Sequence, residues 1–368
     1  MNHAHRNGAY LTNDKENVIM EKTMLKQVMT APKQIIFETV PVPQPGKGQV
    51  LVKIKRIGIC GSDIHVYHGK HPYTSYPVTQ GHEVSGQIVA LGEGAREDLF
   101  VGQKVTIEPQ VVCGHCHPCR NGKYNLCESM KVMGFQTTGT ASEYFAVDDA
   151  KITPIPQHMS YDEGAMIEPL AVTIHAVKRM GDVTGLNVAV LGCGPIGILL
   201  IQSLKAMGAA KVMATDISDY RLELAHKCGA DVVVNTRNND FGKALVDCFG
   251  PDKADVIYDC AGNNITMDQA IQNARKGSTI ILVAVFADMA RCDLAKLNDS
   301  ELDLNTTMMY RHEDYVDAIR LVGEGKIQLK PLMSKHFAFQ DYIKSYEYID
   351  ANQETTMKVL IDVDPSND

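Results

Sequence analysis

No apolar run of membrane-spanning length occurs in this sequence of 368 residues: the longest, Thr279 to Ala287, falls far short of the roughly 20 residues a span needs. Positive charge is also in short supply, with 36 Lys and Arg against 44 Asp and Glu and a net charge of -8. A field of that sign repels phosphate backbones, so neither nucleic acid nor an anionic membrane is expected as a partner. Residues Met1 to Thr23 lack the apolar core of a secretory signal; polar and mixed in charge, they read as a flexible N-terminal tail. Without an export signal, 10 cysteines do not suggest a disulfide scaffold, but thiols kept reduced or used on metal. No internal repeat is visible. Hydrophobic residues at 45% and charged residues at 22% exclude disordered and fibrous classes. The expectation is a cytoplasmic globular protein of two or three domains.

The chain changes texture along its length. From Met24 to about Ile155, short β-like runs such as Gln34–Phe37, Val50–Ile57, Val84–Leu91 and Lys104–Glu108 alternate with Gly and Pro, as twisted antiparallel strands do. From about Asn187 to Phe286 the rhythm is strand, helix, strand, helix. Val188–Leu191, Lys211–Thr215, Val232–Val234, Asp255–Tyr258 and Thr279–Val285 are apolar without alternation, which marks parallel strands buried on both faces. Helical segments such as Pro195–Met207 and Tyr220–Lys227 lie between them, so the fold class is α/β with a doubly wound parallel sheet. In the linking segment Ser160 and Glu163 form a capping box, and Pro169 is expected to interrupt the helix that follows. Glu168 would then stand at a helix break, aimed into a cleft.

Two motifs carry chemistry on their own residues. Gly192-Cys193-Gly194-Pro195-Ile196-Gly197 follows one expected strand and opens the next helix, and Asp216 ends the following strand 24 residues after Gly192. Glycines there let the backbone approach a pyrophosphate at a helix N-terminus, while the carboxylate binds a ribose hydroxyl. Asp216 would repel a 2′-phosphate, which favours NAD over NADP, and Arg221 is expected over the adenosine. The second motif is Cys113-x2-Cys116-x2-Cys119-x7-Cys127, four thiols within 15 residues, suited to one tetrahedral structural zinc ion. Gly114, Pro118 and Gly122 permit its tight turns, and His115 and His117 read as bystanders because four cysteines fill the shell. A nucleic-acid zinc ribbon is the rival use; the acidic balance argues against it.

A third set is scattered: Gly58-Ile59-Cys60-Gly61-Ser62-Asp63-Ile64-His65, Gly81-His82-Glu83 and Glu168-Pro169-Leu170. With these residues in view, the chain resembles the zinc-containing medium-chain dehydrogenases from about Met24 to Val363, and within them the polyol branch of sorbitol and xylitol dehydrogenases. The resemblance implies a GroES-like, mostly β catalytic domain over 24–165 and 308–368, around a Rossmann NAD-binding domain over 166–307. It implies two zinc ions per chain. Cys60 and His82 match ligands of the catalytic zinc, and Glu83 and Glu168 match the two carboxylates that share the remaining protein position. Ser62 and His65 match a proton relay. Gly192, Gly194, Pro195, Ile196, Gly197, Asp216 and Arg221 match the NAD site.

The implied reaction is oxidation of a secondary alcohol on a polyol or sugar derivative to a ketone, with hydride passing to NAD. Threonine 3-dehydrogenase, galactonate dehydrogenase and butanediol dehydrogenase share most of these motifs and remain alternatives. A nonenzymatic dinucleotide-binding protein is the alternative from another class. Arg311 and His312 stand near the implied substrate pocket, where many polyol dehydrogenases have Arg-Tyr, and Val283-Ala284-Val285-Phe286 replaces a stretch where glycine is common. Both departures bear on the substrate. The family suggests a homodimer or homotetramer.

Overall fold

A computed structural model describes residues 22–286 and 289–366. The segment read as a tail lies outside the described residues up to residue 21. Thr23, placed in that tail, already begins the strand Thr23–Ala31, because its partner Gln34–Pro41 pairs with it from Thr23 opposite Pro41.

One seven-stranded sheet is built from both ends of the chain. Its order is Met333–Ala338, Lys358–Asp362, Gln49–Gly58, Glu83–Leu91, Lys104–Ile107 and Ile152–Pro154, and Tyr144–Asp148 also pairs with Gln49–Gly58. Leu360 lies opposite Gly58 on one side of the central strand, and Glu83 lies opposite Gly58 on the other. That register brings the last strand of the chain beside Glu83. The inward faces carry Val52, Ile54, Ile57, Val84, Ile88, Val105, Val359 and Ile361, all buried in one cluster.

The second sheet has six strands, all parallel, in the order Val232–Asn235, Lys211–Asp216, Asn187–Leu191, Val256–Asp259, Thr279–Leu282 and Asp303–Thr306. In chain order this is 3-2-1-4-5-6, and the order reverses beside Asn187–Leu191, where a doubly wound sheet opens its ligand crevice. Val188, Ala189, Val190 and Leu191 are fully buried because helices cover both faces, as their unbroken apolar run requires. The fifth strand stops at Leu282 instead of reaching Val285, whose side chain is 91% exposed; the apolar run outlasts the ladder.

Ser160 accepts the Glu163 N–H at 3.2 Å and Glu163 accepts the Ser160 N–H at 2.9 Å, so the capping box forms. The interruption falls at Met166, between helices Tyr161–Ala165 and Ile167–Lys178, and not at Pro169. Pro169 sits in the first turn of the second helix, where a missing N–H breaks no bond. Glu168 is thereby fixed two positions inside that helix. Ile167–Lys178 packs on Pro195–Ala206 and on His312–Gly323, joining the two sheets through Leu170, Ile174, Leu204, Tyr315 and Leu321. Among the described residues no helix is long and apolar enough to cross a membrane.

Candidate active site and metal centres

Cys60 follows the central strand, which ends at Gly58, and caps the helix Gly61–Tyr67 with an extended backbone (φ -88°, ψ 157°). His82 and Glu83 arrive from the neighbouring strand after Gly81, whose φ of +94° and close approach to Thr140 (2.8 Å to a hypothetical Cβ) leave no room for a side chain. One ligand atom from each of Cys60, His82 and Glu83 lies within 4.8 Å of the others. Sulfur, imidazole and carboxylate at that spacing are the donor set zinc takes when one position is left for substrate. His82 supports the fit. Its ring is buried against Phe135, with ring centroids 4.9 Å apart.

Sequence reasoning missed the groups that hold these ligands. Asp63, fully buried, accepts the Cys60 N–H at 2.9 Å and lies 3.6 Å from His82 Nδ1, the carboxylate-behind-histidine arrangement that orients metal ligands. Gln80 Nε2 donates to Asp63 Oδ1 at 3.3 Å, and Tyr346 donates to Gln80 Oε1 at 2.7 Å, so no member of the chain is left loose. The Cys-x-x-Asp spacing was the available signal, since an acidic third residue closes a capping box. Lys358 gave none. Its Nζ bonds Glu83 Oε1 at 2.7 Å, Oε2 at 2.6 Å and the Ile59 carbonyl at 3.2 Å, 275 residues away along the chain from Glu83.

Glu168 is not in the 4.8 Å cluster, though it feels the charges of His82, Glu83 and Lys358. Burial, reinforced by the Glu83 charge, pushes its carboxyl up to about 7, against the pull of His82 and of Tyr310, whose hydroxyl donates to Oε1 at 2.5 Å. Ser62 and His65 stand three residues apart on one face of their helix, half-buried and exposed respectively, and no hydrogen bond joins them.

The four-cysteine lobe closes as its spacing requires. Cys113, Cys116, Cys119 and Cys127 bring their sulfurs within 4.8 Å of one another and form no disulfide. The Cys113 N–H points at Cys127 Sγ (3.3 Å) and the Cys116 N–H at Cys113 Sγ (3.4 Å). Backbone N–H groups of Cys119 and Glu128 hold the Cys116 thiol down at about 6. His115 turns its Nδ1 to the Cys113 carbonyl at 2.8 Å, outside the cluster.

At the doubly wound sheet, Gly192 has φ +94°, and a Cβ on Gly197 would stand 1.9 Å from the Gly192 carbonyl oxygen. Only glycine lets helix and strand meet so closely. A Cβ on Gly194 would meet nothing within 4 Å, which leaves a clear approach to the N-terminus of helix Pro195–Ala206, where Pro195 loses no hydrogen bond and Ile196 follows. Asp216 accepts the Cys193 N–H on one oxygen (2.7 Å) and those of Ile217 and Ser218 on the other (2.8 and 2.9 Å). Those donors lock its carboxylate at the strand end beside the glycine loop. These residues fit a dinucleotide. Arg221 lies in the first turn of the helix Asp219–Lys227, and its Nη2 reaches the Gln353 carbonyl at 2.9 Å, which ties this sheet to the C-terminal segment.

Arg311 pairs with Glu313 at 2.9 Å, yet its buried Nε has no partner among the described residues. His312 is half outside; its Nδ1 meets Glu108 Oε1 at 2.5 Å and its N–H meets the Tyr124 hydroxyl. His312 is thus bolted to the cysteine lobe, and so is Met308, whose carbonyl accepts from Asn125 at 2.9 Å.

Comparison with known proteins matches residues 46–157 to the alcohol dehydrogenase GroES-like domain and residues 195–324 to the zinc-binding dehydrogenase family. The chain is 33% identical to sorbitol dehydrogenase 1 of Saccharomyces cerevisiae, over 89% of this chain and 94% of that protein. It is likewise 33% identical to L-galactonate-5-dehydrogenase of Escherichia coli, over 92% of this chain and 99% of that one. Among solved structures, a short chain alcohol dehydrogenase of Escherichia coli CFT073 complexed with NADH superposes with a TM-score of 0.86 at 30% identity, covering 93% of this chain and 100% of the other.

Proposed function

We propose that this chain, which belongs to the family of zinc-binding alcohol dehydrogenases with a GroES-like domain, oxidises a secondary alcohol of a polyol or sugar derivative to a ketone and passes the hydride to NAD. The observation that carries the reading is the Cys60–His82–Glu83 cluster, with His82 and Glu83 buried and Cys60 half-buried, and a further buried carboxylate, Glu168, near it. A bound zinc there supplies a Lewis acid that makes a substrate hydroxyl easier to deprotonate, and NAD supplies the hydride acceptor.

The residues of the chain do the rest. Cys60, His82 and Glu83 hold the metal, and Lys358 balances the charge of Glu83, so that only part of the carboxylate's charge reaches it. Asp63 fixes the ring of His82. Ser62 and His65 carry the proton outward, from a half-buried to an exposed position on one helix face. Gly192, Gly194 and Gly197 admit the pyrophosphate, and Asp216 receives the ribose hydroxyls. Cys113, Cys116, Cys119 and Cys127 hold the structural zinc.

Arg311, with a buried donor unsatisfied, reaches a hydroxyl beyond the reacting carbon. A bare alkyl alcohol leaves that donor unpaired, at a cost of about 1–3 kcal/mol, and is a poor substrate. We assign residues 24–165 and 308–368 to the catalytic domain and 166–307 to the nucleotide-binding domain of a cytoplasmic homodimer or homotetramer. A panel of xylitol, sorbitol, galactonate, L-threonine, 2,3-butanediol and ethanol with NAD, read as absorbance of the reduced cofactor, tests the reading. Turnover of ethanol with none of any polyhydroxy compound overturns it.

A further inference from the structure

We propose that Tyr310 is a positioning residue that holds Glu168 beside the catalytic metal position and out of it, so that the fourth coordination place stays open for substrate. The proposal rests on the zinc dehydrogenase reading above. Two carboxylates lie near this centre, Glu83 within the cluster and Glu168 outside it on the helix that packs against the strand opened by Glu83, and the protein restrains them differently. Glu83 has both oxygens on Lys358, at 2.7 and 2.6 Å, and its place is set by that buried cation. Glu168 instead accepts the Tyr310 hydroxyl on Oε1 at 2.5 Å, a neutral donor in place of a buried cation. A glutamate on a flexible side chain within the field of a divalent cation is drawn onto it unless something holds it back.

Tyr310 is built to be that restraint. Its side chain is fully buried, its ring stands edge-on to Tyr315 at 5.1 Å, and its carbonyl accepts from Gln110 Nε2 at 2.9 Å. The preceding residue, Met309, has φ +49°, a left-handed conformation that is costly for a residue with a side chain. Such backbone persists only where its surroundings over-determine it. Here Met308 is pinned to the cysteine lobe through Asn125, and Arg311 N–H is pinned to Asp314 at 2.8 Å, so the turn between them has one way to present the phenol. A Glu168 that reached the metal would fill the place a substrate oxygen needs.

Tyr310→Phe removes the hydroxyl and keeps the ring. The expected result is a KM for the polyol raised roughly tenfold, the size of one hydrogen bond to a charged group, with kcat nearly unchanged. Zinc of the catalytic site, identified as the release phase absent from Cys60→Ser, should leave to a chelator several-fold more slowly, because a freed carboxylate adds a ligand. In a Glu168→Gln background Tyr310→Phe should change neither quantity. Unaltered or faster zinc release in Tyr310→Phe, or the same change with Gln at 168, overturns the proposal. Zinc release is read without substrate, so failure of the polyol reading would show separately, as absent turnover by the native enzyme.

Discussion

Gly58 carries no side chain because Glu83 stands where one would go: a Cβ there would lie 2.2 Å from Glu83 Oε2. The vacancy on one strand shapes the carboxylate on the next. The Lys358 ammonium completes it, and the pair is worth little net stability as long as both charges are present. Removing one leaves the other buried and alone. Lys358→Met is therefore expected to lose about 3–5 kcal/mol of unfolding free energy in denaturant titration, whereas a surface Lys such as Lys276, paired at 3.4 Å in the open, loses almost nothing. We propose that cofactor choice also rests on one side chain. Asp216 offers a charged acceptor already braced by three backbone N–H groups. The native protein should prefer NAD to NADP in kcat/KM, and Asp216→Ala should narrow the ratio about ten- to a hundredfold. Equal use of both cofactors before mutation counts against this role.

At the scale of elements, the two candidate metal clusters sit on different supports. Cys60, His82 and Glu83 come from strand ends that the seven-stranded sheet holds in place with or without an ion. The lobe from Cys113 to Cys127 contains only a four-residue helix and one 3-10 turn, and buries few apolar side chains. A structural zinc supplies on the order of 10 kcal/mol in such a setting. Cys60→Ser should thus abolish turnover with a melting temperature close to native, and Cys116→Ser should lower the melting temperature sharply and release one zinc. The lobe also buttresses 308–312, so its loss should reach the active site through Tyr310. A Cys116→Ser protein with native zinc content and melting temperature would refute the lobe assignment.

Across the whole molecule, the helix Ile167–Lys178 is tied to His312–Gly323 by a buried charge cluster. Asp314, fully buried, receives His175 at 2.8 Å, Lys178 at 2.7 Å and the Arg311 N–H at 2.8 Å. Burial tends to raise its carboxyl, but these donors outweigh it and hold the group below the usual carboxylate range. A depressed value in the folded state means that the cluster adds stability above the ordinary carboxylate pKa of about 3.9, and that the contribution is lost as pH falls through the lower folded value. Asp314→Asn should cost about 1–3 kcal/mol at pH 7, and the gap to native should close as pH falls below about 4, which unfolding curves at several pH values would measure. A gap that stays constant with pH would remove the charge from the explanation.

Local rules sufficed wherever the signal was short-range. The parallel strands were legible because double burial demands unbroken apolar runs, the glycine loop because a Cβ at Gly197 would stand 1.9 Å from the Gly192 carbonyl oxygen, and the cysteine lobe because its cysteines span 15 residues. The strand Asp303–Thr306 was invisible: an edge strand, mostly exposed, has no apolar pattern to betray it. Pro169 misled because its effect depends on its place in the helix, which the capping box at Ser160 sets. The catalytic ligands were named by resemblance, and the chain alone could not choose between Glu83 and Glu168. Tertiary structure gives the two different partners, since Lys358 and Tyr310 come from the last 60 or so residues and meet the carboxylates only after the chain's two ends share a sheet. Ligand types follow from the residues themselves; the charges and hydroxyls that hold them in place are long-range contacts, and no spacing in a sequence records those.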